Sequence, residues 1–280
     1  MSAFWIRIIL MIIGIAVALF GMKQQKQGAV WGQPLAIVGA LLAIVCALWS
    51  SFRTVTGGNS EASAREIRYQ DLQHAFLGTY IKETANPKKV GVIVDSYYLY
   101  DSFGDKLATP QENRPLEGLK RTVGADIAVT SIVPKKIDKS KLPKDANGNV
   151  IDPGMMMMDP MLSTLNAKNV KQCLDDLKDC DVIVIMAATD SNLPYFKILP
   201  MLKKGTWLAA NSSGNWNALA KAFQDSAKST GGAMLAVSCS KASAIYDESI
   251  PGNDQKAYDR RYILITKDNF QQTIPAAQKK

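Results

Sequence analysis

Two long apolar runs occupy the first fifth of the chain: residues 4–22, FWIRIILMIIGIAVALFGM, and residues 31–52, WGQPLAIVGALLAIVCALWSSF. The hydrocarbon core of a bilayer is about 30 Å thick, which a helix of roughly 20 apolar residues crosses. Both runs reach that length. In lipid each segment must satisfy its own backbone polar groups, so each run is expected to be a helix. Trp5, Trp31, Trp49 and Phe52 stand near the run ends, where aromatic rings favour the headgroup layer. The first run could instead be a cleaved signal, with Arg7 in its n-region. No small-x-small site leads into a polar mature start, however, and cleavage would still leave the second run as an anchor. The expectation is a two-helix transmembrane hairpin over residues 1–53, in a multi-pass protein of the cell membrane.

The loop between the runs carries Lys23 and Lys26, whereas the flanks carry the amino terminus, Arg7 and Arg53, then Arg65 and Arg68. Lys/Arg bias tips the flanks, and with them the rest of the chain, toward the cytoplasm. Small residues recur four apart: Gly14/Ala18 in the first run, Ala36/Ala40 and Gly39/Ala43/Ala47 in the second. That spacing lets helix backbones approach closely in lipid. Gly39, Ala43 and Ala47 are therefore candidate contacts with the other helix, a partner subunit or a second copy.

The rest of the 280-residue chain suits one ordinary globular domain. The formal charge is +8, from 33 Lys/Arg against 25 Asp/Glu. The one dense basic group, Lys135, Lys136, Lys139, Lys141 and Lys144, reads as a solvated loop. Without an arginine-rich helix or an aromatic-basic ladder, nucleic acid is not an expected partner. Cys46 lies in the second apolar run, and Cys173, Cys180 and Cys239 lack metal-site spacing. Two helical turns separate Cys173 from Cys180, too far for a disulfide in a regular helix. His74 is the single histidine. No metal and no cofactor is expected.

Residues 54–87 read as a Gly/Ser/Thr linker followed by a juxtamembrane helix over 64–85. Ile67, Asp71, His74 and Gly78 fall on one side of it; Tyr69, Leu72, Phe76, Tyr80 and Ile81 fall on another. The aromatic side should dock on the domain or a partner, with His74 at the surface or in packing. Residues 88–270 then alternate. Apolar strands are expected at 90–94, 126–133, 182–187, 206–210, 233–237 and 262–266. Helices are expected at 115–123, 169–179, 193–203 and 216–229, with an irregular polar excursion before the last strand. Continuous apolar strands alternating with helices predict an α/β domain with a doubly wound, mostly parallel sheet. Residues 134–168 interrupt the pattern as an insertion holding the Asn147–Gly148 turn and a methionine group: Met155, Met156, Met157, Met158 and Met161. Such a cluster could take a soft metal, but as an adaptable apolar flap it better suits partner contact. Residues 271–280 read as a flexible tail.

In an open parallel sheet, ligands bind beyond the carboxyl ends of the strands. The first strand delivers Asp95, Ser96, Tyr97 and Tyr98 there, and the 182–187 strand delivers Thr189, Asp190 and Ser191. The 206–210 strand delivers Asn211, Ser212, Ser213 and Asn215, and the 233–237 strand Ser238, Cys239, Ser240 and Lys241. These groups are also ordinary turn and helix-cap residues. What sets them apart is that four strands present them on one edge, as a candidate site for a small polar ligand. No G-x-S-x-G elbow, Walker A loop or G-x-G-x-x-G fingerprint is present, and no catalytic residue is assigned.

The stretch VGVIVDSYYLYDSF, then DIAVTSIV, then VKQCLDDLKDCDVIVIMAATDS resembles the first lobe of the type 1 periplasmic sugar-binding (LacI-like) proteins over roughly residues 90–240. The resemblance implies a Rossmann-like lobe whose Asp95, Tyr97, Tyr98, Thr189, Asp190 and Asn211 line a small-molecule cleft. The chain holds about one lobe where that family has two. The leading expectation is a non-catalytic, membrane-anchored binding or accessory subunit, in contact with the lipid bilayer and with other membrane subunits or its own kind. The alternatives are a membrane-bound enzyme acting on a small polar or phosphorylated substrate, and a solute receptor that dimerises to complete its cleft.

Overall fold

The computed structural model describes residues 3–27, 31–40, 59–134, 136–145, 148–149, 151, 164–212, 215–241 and 249–278. The chain divides into two compact units, residues 1–66 and 67–280.

In the first unit, α1 (Ala3–Lys26) is followed by α2, described over residues 32–40. The two helices meet at glycine. A Cβ on Gly21 would lie 2.8 Å from the Gly32 carbonyl oxygen, and one on Gly32 would lie 2.8 Å from that of Gly21. Only residues without side chains allow backbones this close. The Phe20 and Trp31 rings also meet, with centroids 6.2 Å apart. Burial here is inverted: Gly21, Gly32 and Gly39 are buried, while Leu19 is 58% and Val38 61% exposed. Among the described residues, no helix is long and apolar enough to cross a membrane. The side chains of residues 3–12 and 14 lie outside that set, as does everything from 41 to 58. The expected two-helix transmembrane hairpin is thus not found as such; what is described is a glycine-mediated helix contact. The small-residue spacing points to Gly14/Ala18, Ala36/Ala40 and the Gly39 series, and does not single out Gly21 or Gly32. Ala43 and Ala47 lie outside the described residues.

The second unit is an α/β sandwich. After α3 (Asn59–Ala85), which begins in the first unit, come β1 (Lys89–Val94), α4 (Arg114–Val123), β2 (Asp126–Ser131), α5 (Val170–Asp176) and β3 (Val182–Ile185). They are followed by α6 (Tyr195–Ile198), β4 (Trp207–Ser212), α7 (Trp216–Ser226), β5 (Ala233–Ser240), α8 (Asp254–Arg261), β6 (Tyr262–Thr266) and α9 (Phe270–Gln278). Among the described residues the strands form one six-stranded sheet in the order β2-β1-β3-β4-β5-β6. The first five are parallel and β6 pairs antiparallel with β5.

The strands are apolar on both faces because helices cover both. Val90, Val92 and Val94 pack with Leu77 and Ile81 of α3 and with Leu116, Leu119 and Val123 of α4. Ile93, Ile183, Ile185 and Leu208 pack with Cys173 and Leu174 of α5, Phe223 of α7 and Ile274 of α9. Local signals explain the helix limits. In α4, the Asn113 side chain accepts from Leu116 N–H, Pro115 occupies the first turn, and Gly124 ends the helix at φ 66°. Helices α3 and α4 cross closely enough that a Cβ on Gly118 would lie 2.5 Å from the Asp71 carbonyl oxygen. The aromatic side of α3 docks on the domain, with Phe76 4.5 Å from Tyr258 between ring centroids.

Several expectations are corrected. Residues 270–278 form α9 rather than a flexible tail, and its Ile274 is buried in the core. The polar excursion contains α8, whose start is capped by Asn253. The 193–203 helix shrinks to α6 and one 3-10 turn, because Pro200 interrupts its backbone bonding. The described part of the basic group is solvent-exposed as expected, with surface ion pairs from Lys136 and Lys139 to Asp105 and from Lys141 to Asp138. Met155, Met156, Met157, Met158 and Met161 lie outside the described residues.

Candidate functional site

Strand order reverses between β1 and β3: the chain moves outward from β1 to β2, then crosses back to β3 and onward. Helices leaving neighbouring strands on opposite faces open a crevice at such a point. A cavity of about 590 Å³ lies there, lined from the ends of β1, β3, β4 and β5 and from α3, α6 and α7. Eight of the residues expected from the strand ends line it: Asp95, Thr189, Asp190, Ser191, Asn211, Ser212, Asn215 and Ser240. Ser96 and Tyr98 are instead buried, Tyr98 among the apolar side chains beneath α4. Tyr97 is 47% exposed and does not line the cavity. Ser213 lies outside the described residues.

Two lining residues escaped sequence reading. Gln73 comes from α3, a helix read as peripheral, and its Nε2 donates to the Ser238 carbonyl at 3.0 Å. Tyr195 comes from α6, and its hydroxyl donates to the Asn211 carbonyl at 2.9 Å. No local signal marks Gln73, because α3 carries polar residues along much of its length.

His74 is buried beside the site. Its Nδ1 lies 2.8 Å from the Gln70 carbonyl oxygen, which can only accept, so Nδ1 carries the proton. Nε2 is then an acceptor for Asn211 Nδ2, 3.4 Å away. Burial pulls the His74 pKa down to about 4, against smaller opposing effects of the Gln70 carbonyl and Asp71, so the ring is neutral at pH 7. Asp95 is half-buried. Desolvation raises its pKa, partly offset by the Ala188 N–H that Oδ1 accepts at 3.3 Å. Tyr97 is raised by burial and then by the Asp95 charge. The Asp190 carboxylate accepts from Asn192 N–H at 2.8 Å, bracing the turn after β3, while Asp190 N–H donates to the Leu165 carbonyl at 2.9 Å.

The nucleophile-type groups are quiet. Burial pushes the Cys239 thiol up to about 12 and the Tyr195 hydroxyl up to about 12, which suppresses their anions at neutral pH. Cys173, Cys180 and Cys239 are all free and buried. No cluster of three His, Cys, Asp or Glu side chains suited to a metal occurs among the described residues. The arrangement offers a polar pocket with one desolvated carboxylate and several hydroxyl and amide groups, suited to hydrogen-bonding a small molecule. Comparisons with protein-family models, curated proteins and solved structures found no match.

Proposed function

We propose that this chain is a membrane-anchored α/β binding or accessory subunit that holds a small polar ligand without transforming it. The observation that carries the ligand part is the cavity at the β1/β3 reversal, with polar groups from four strand ends converging on it. Binding is favoured over turnover by the neutral, fully engaged His74 and the suppressed Cys239 and Tyr195. The resemblance to one lobe of the sugar-binding proteins agrees with this reading.

The anchor part rests on the inverted burial of the first unit. Large apolar side chains facing out while glycines face in is the arrangement lipid favours and water does not. The second apolar run would complete a hairpin in the cell membrane. The Lys/Arg balance then sets the α/β domain on the cytoplasmic side.

Thermal-shift screening of the detergent-solubilised full chain against sugars, amino acids and nucleotides tests the ligand part. A ligand at 100 times its Kd adds about 2.7 kcal/mol, a readily measured rise in melting temperature. Absence of stabilisation by every class would overturn ligand binding. Release of the chain from membranes by alkaline carbonate would overturn the anchor.

A further inference from the structure

The charged side chains of the cavity wall are carboxylates. They come from Asp95 and Asp190, and among the described residues no Lys or Arg lines the cavity. That is a departure for a chain of formal charge +8. The lysines adjacent in sequence are turned to other uses: Lys197 Nζ donates to the Asn192 carbonyl at 3.1 Å, and Lys241 Nζ donates to the Asp259 carbonyl.

The amides reinforce the pattern. Gln73 is only 7% exposed yet lines the cavity. Because its Nε2 donates to a carbonyl that can only accept, its orientation is fixed, and Oε1 is left without a partner among the described residues. Asn211 is fixed in the same way. The His74 tautomer requires it to present Nδ2, which leaves Oδ1 as its remaining acceptor. An acceptor that faces the cavity without a protein donor is open to a ligand, and a carboxylate held partly out of water without a counter-charge is costly. A ligand rich in donors and carrying positive charge would satisfy both at once, whereas a phosphate or carboxylate would meet repulsion.

We propose that the cleft selects a small polar molecule bearing a cationic nitrogen group, with Asp95 as its counter-charge and Gln73 and Asn211 accepting from its N–H or O–H groups. This rests on the ligand-binding reading above and narrows it to one chemical class. The raised Asp95 pKa agrees, since a bound cation would draw it back down.

The test is titration calorimetry of the full-length protein in detergent at near-neutral pH with two matched series. One is glucosamine, glucose and a glucose phosphate; the other is putrescine, its diol counterpart and succinate. In at least one series the amine is expected to bind about tenfold or more tighter than its neutral counterpart, with no detectable binding of the anion. Asp95→Asn should erase that preference while the unliganded melting temperature stays within a few degrees. Equal or tighter binding of a neutral or anionic member overturns the cationic class but leaves a ligand-binding cleft standing. No binding by any member, together with a blank thermal-shift screen, overturns both. If Asp95→Asn fails to fold, the matched series on the native chain decides alone.

Discussion

The two units solve opposite packing problems. In the α/β domain, Ile93, Ile185 and Leu116 are wholly buried, and the polar residues gather at the strand ends. In the first unit, Ile13 is 47%, Ile37 52% and Leu19 58% exposed, and the buried positions are glycines. The contrast teaches that the two parts pack by different means: apolar burial organises the domain, and close backbone contact organises the helix pair.

The largest effect should come from emptying the domain core. Leu116→Ala, at a site with 0% exposure between α4 and the sheet, should cost about 2–5 kcal/mol by urea denaturation. A shift within about 0.5 kcal/mol would mean that the core is far looser than it looks. A comparable effect with a different readout is expected from Ile13→Asp, near the middle of the first apolar run. In water an exposed Ile→Asp change is nearly silent; at the centre of a membrane helix the carboxylate costs roughly 3 kcal/mol. The variant should drop out of the membrane fraction, and wild-type retention would break the contrast.

The third prediction confines acid sensitivity to the domain. The folded His74 pKa, about 4, lies below its unfolded value of 6.5. The unfolded state therefore binds the proton first as pH falls. The stability that His74 contributes is complete above about pH 6.5 and is lost progressively down to about pH 4, by at most about 3 kcal/mol. Urea midpoints across that window should fall for the native chain and flatten for His74→Gln. An equal slope in both would assign acid sensitivity to other groups.

How much of this was legible in the sequence follows from which interactions are local. The strands were readable because each is a short apolar run, buried on both faces, and a run such as VIVI at 182–185 has few other uses. Their polar successors were readable for the same reason, so Asp95, Thr189, Asp190 and Asn211 could be placed on one edge before any coordinates. The antiparallel turn of β6 was not readable, since direction depends on the connection and not on composition. Helix α8 was hidden by its polarity, because it buries only Ala257, Tyr258 and Arg261. Gln73 reaches the site through the docking of α3 across the sheet, a tertiary event that no local pattern encodes. The Gly21–Gly32 contact was missed for a related reason. Its partners belong to different runs, and regular spacing within one run cannot reveal it.

The three buried thiols give the domain an unplanned property. With Cys173 pushed up to about 11 and Cys239 to about 12, almost none of either is thiolate at neutral pH, and all three are closed off from solvent. Alkylating reagents must therefore wait for the fold to open. The rate at which each native cysteine is modified becomes a clock for the breathing of its own layer. Cys173 times the opening of α5, and Cys239 that of the strand end beside the ligand cleft.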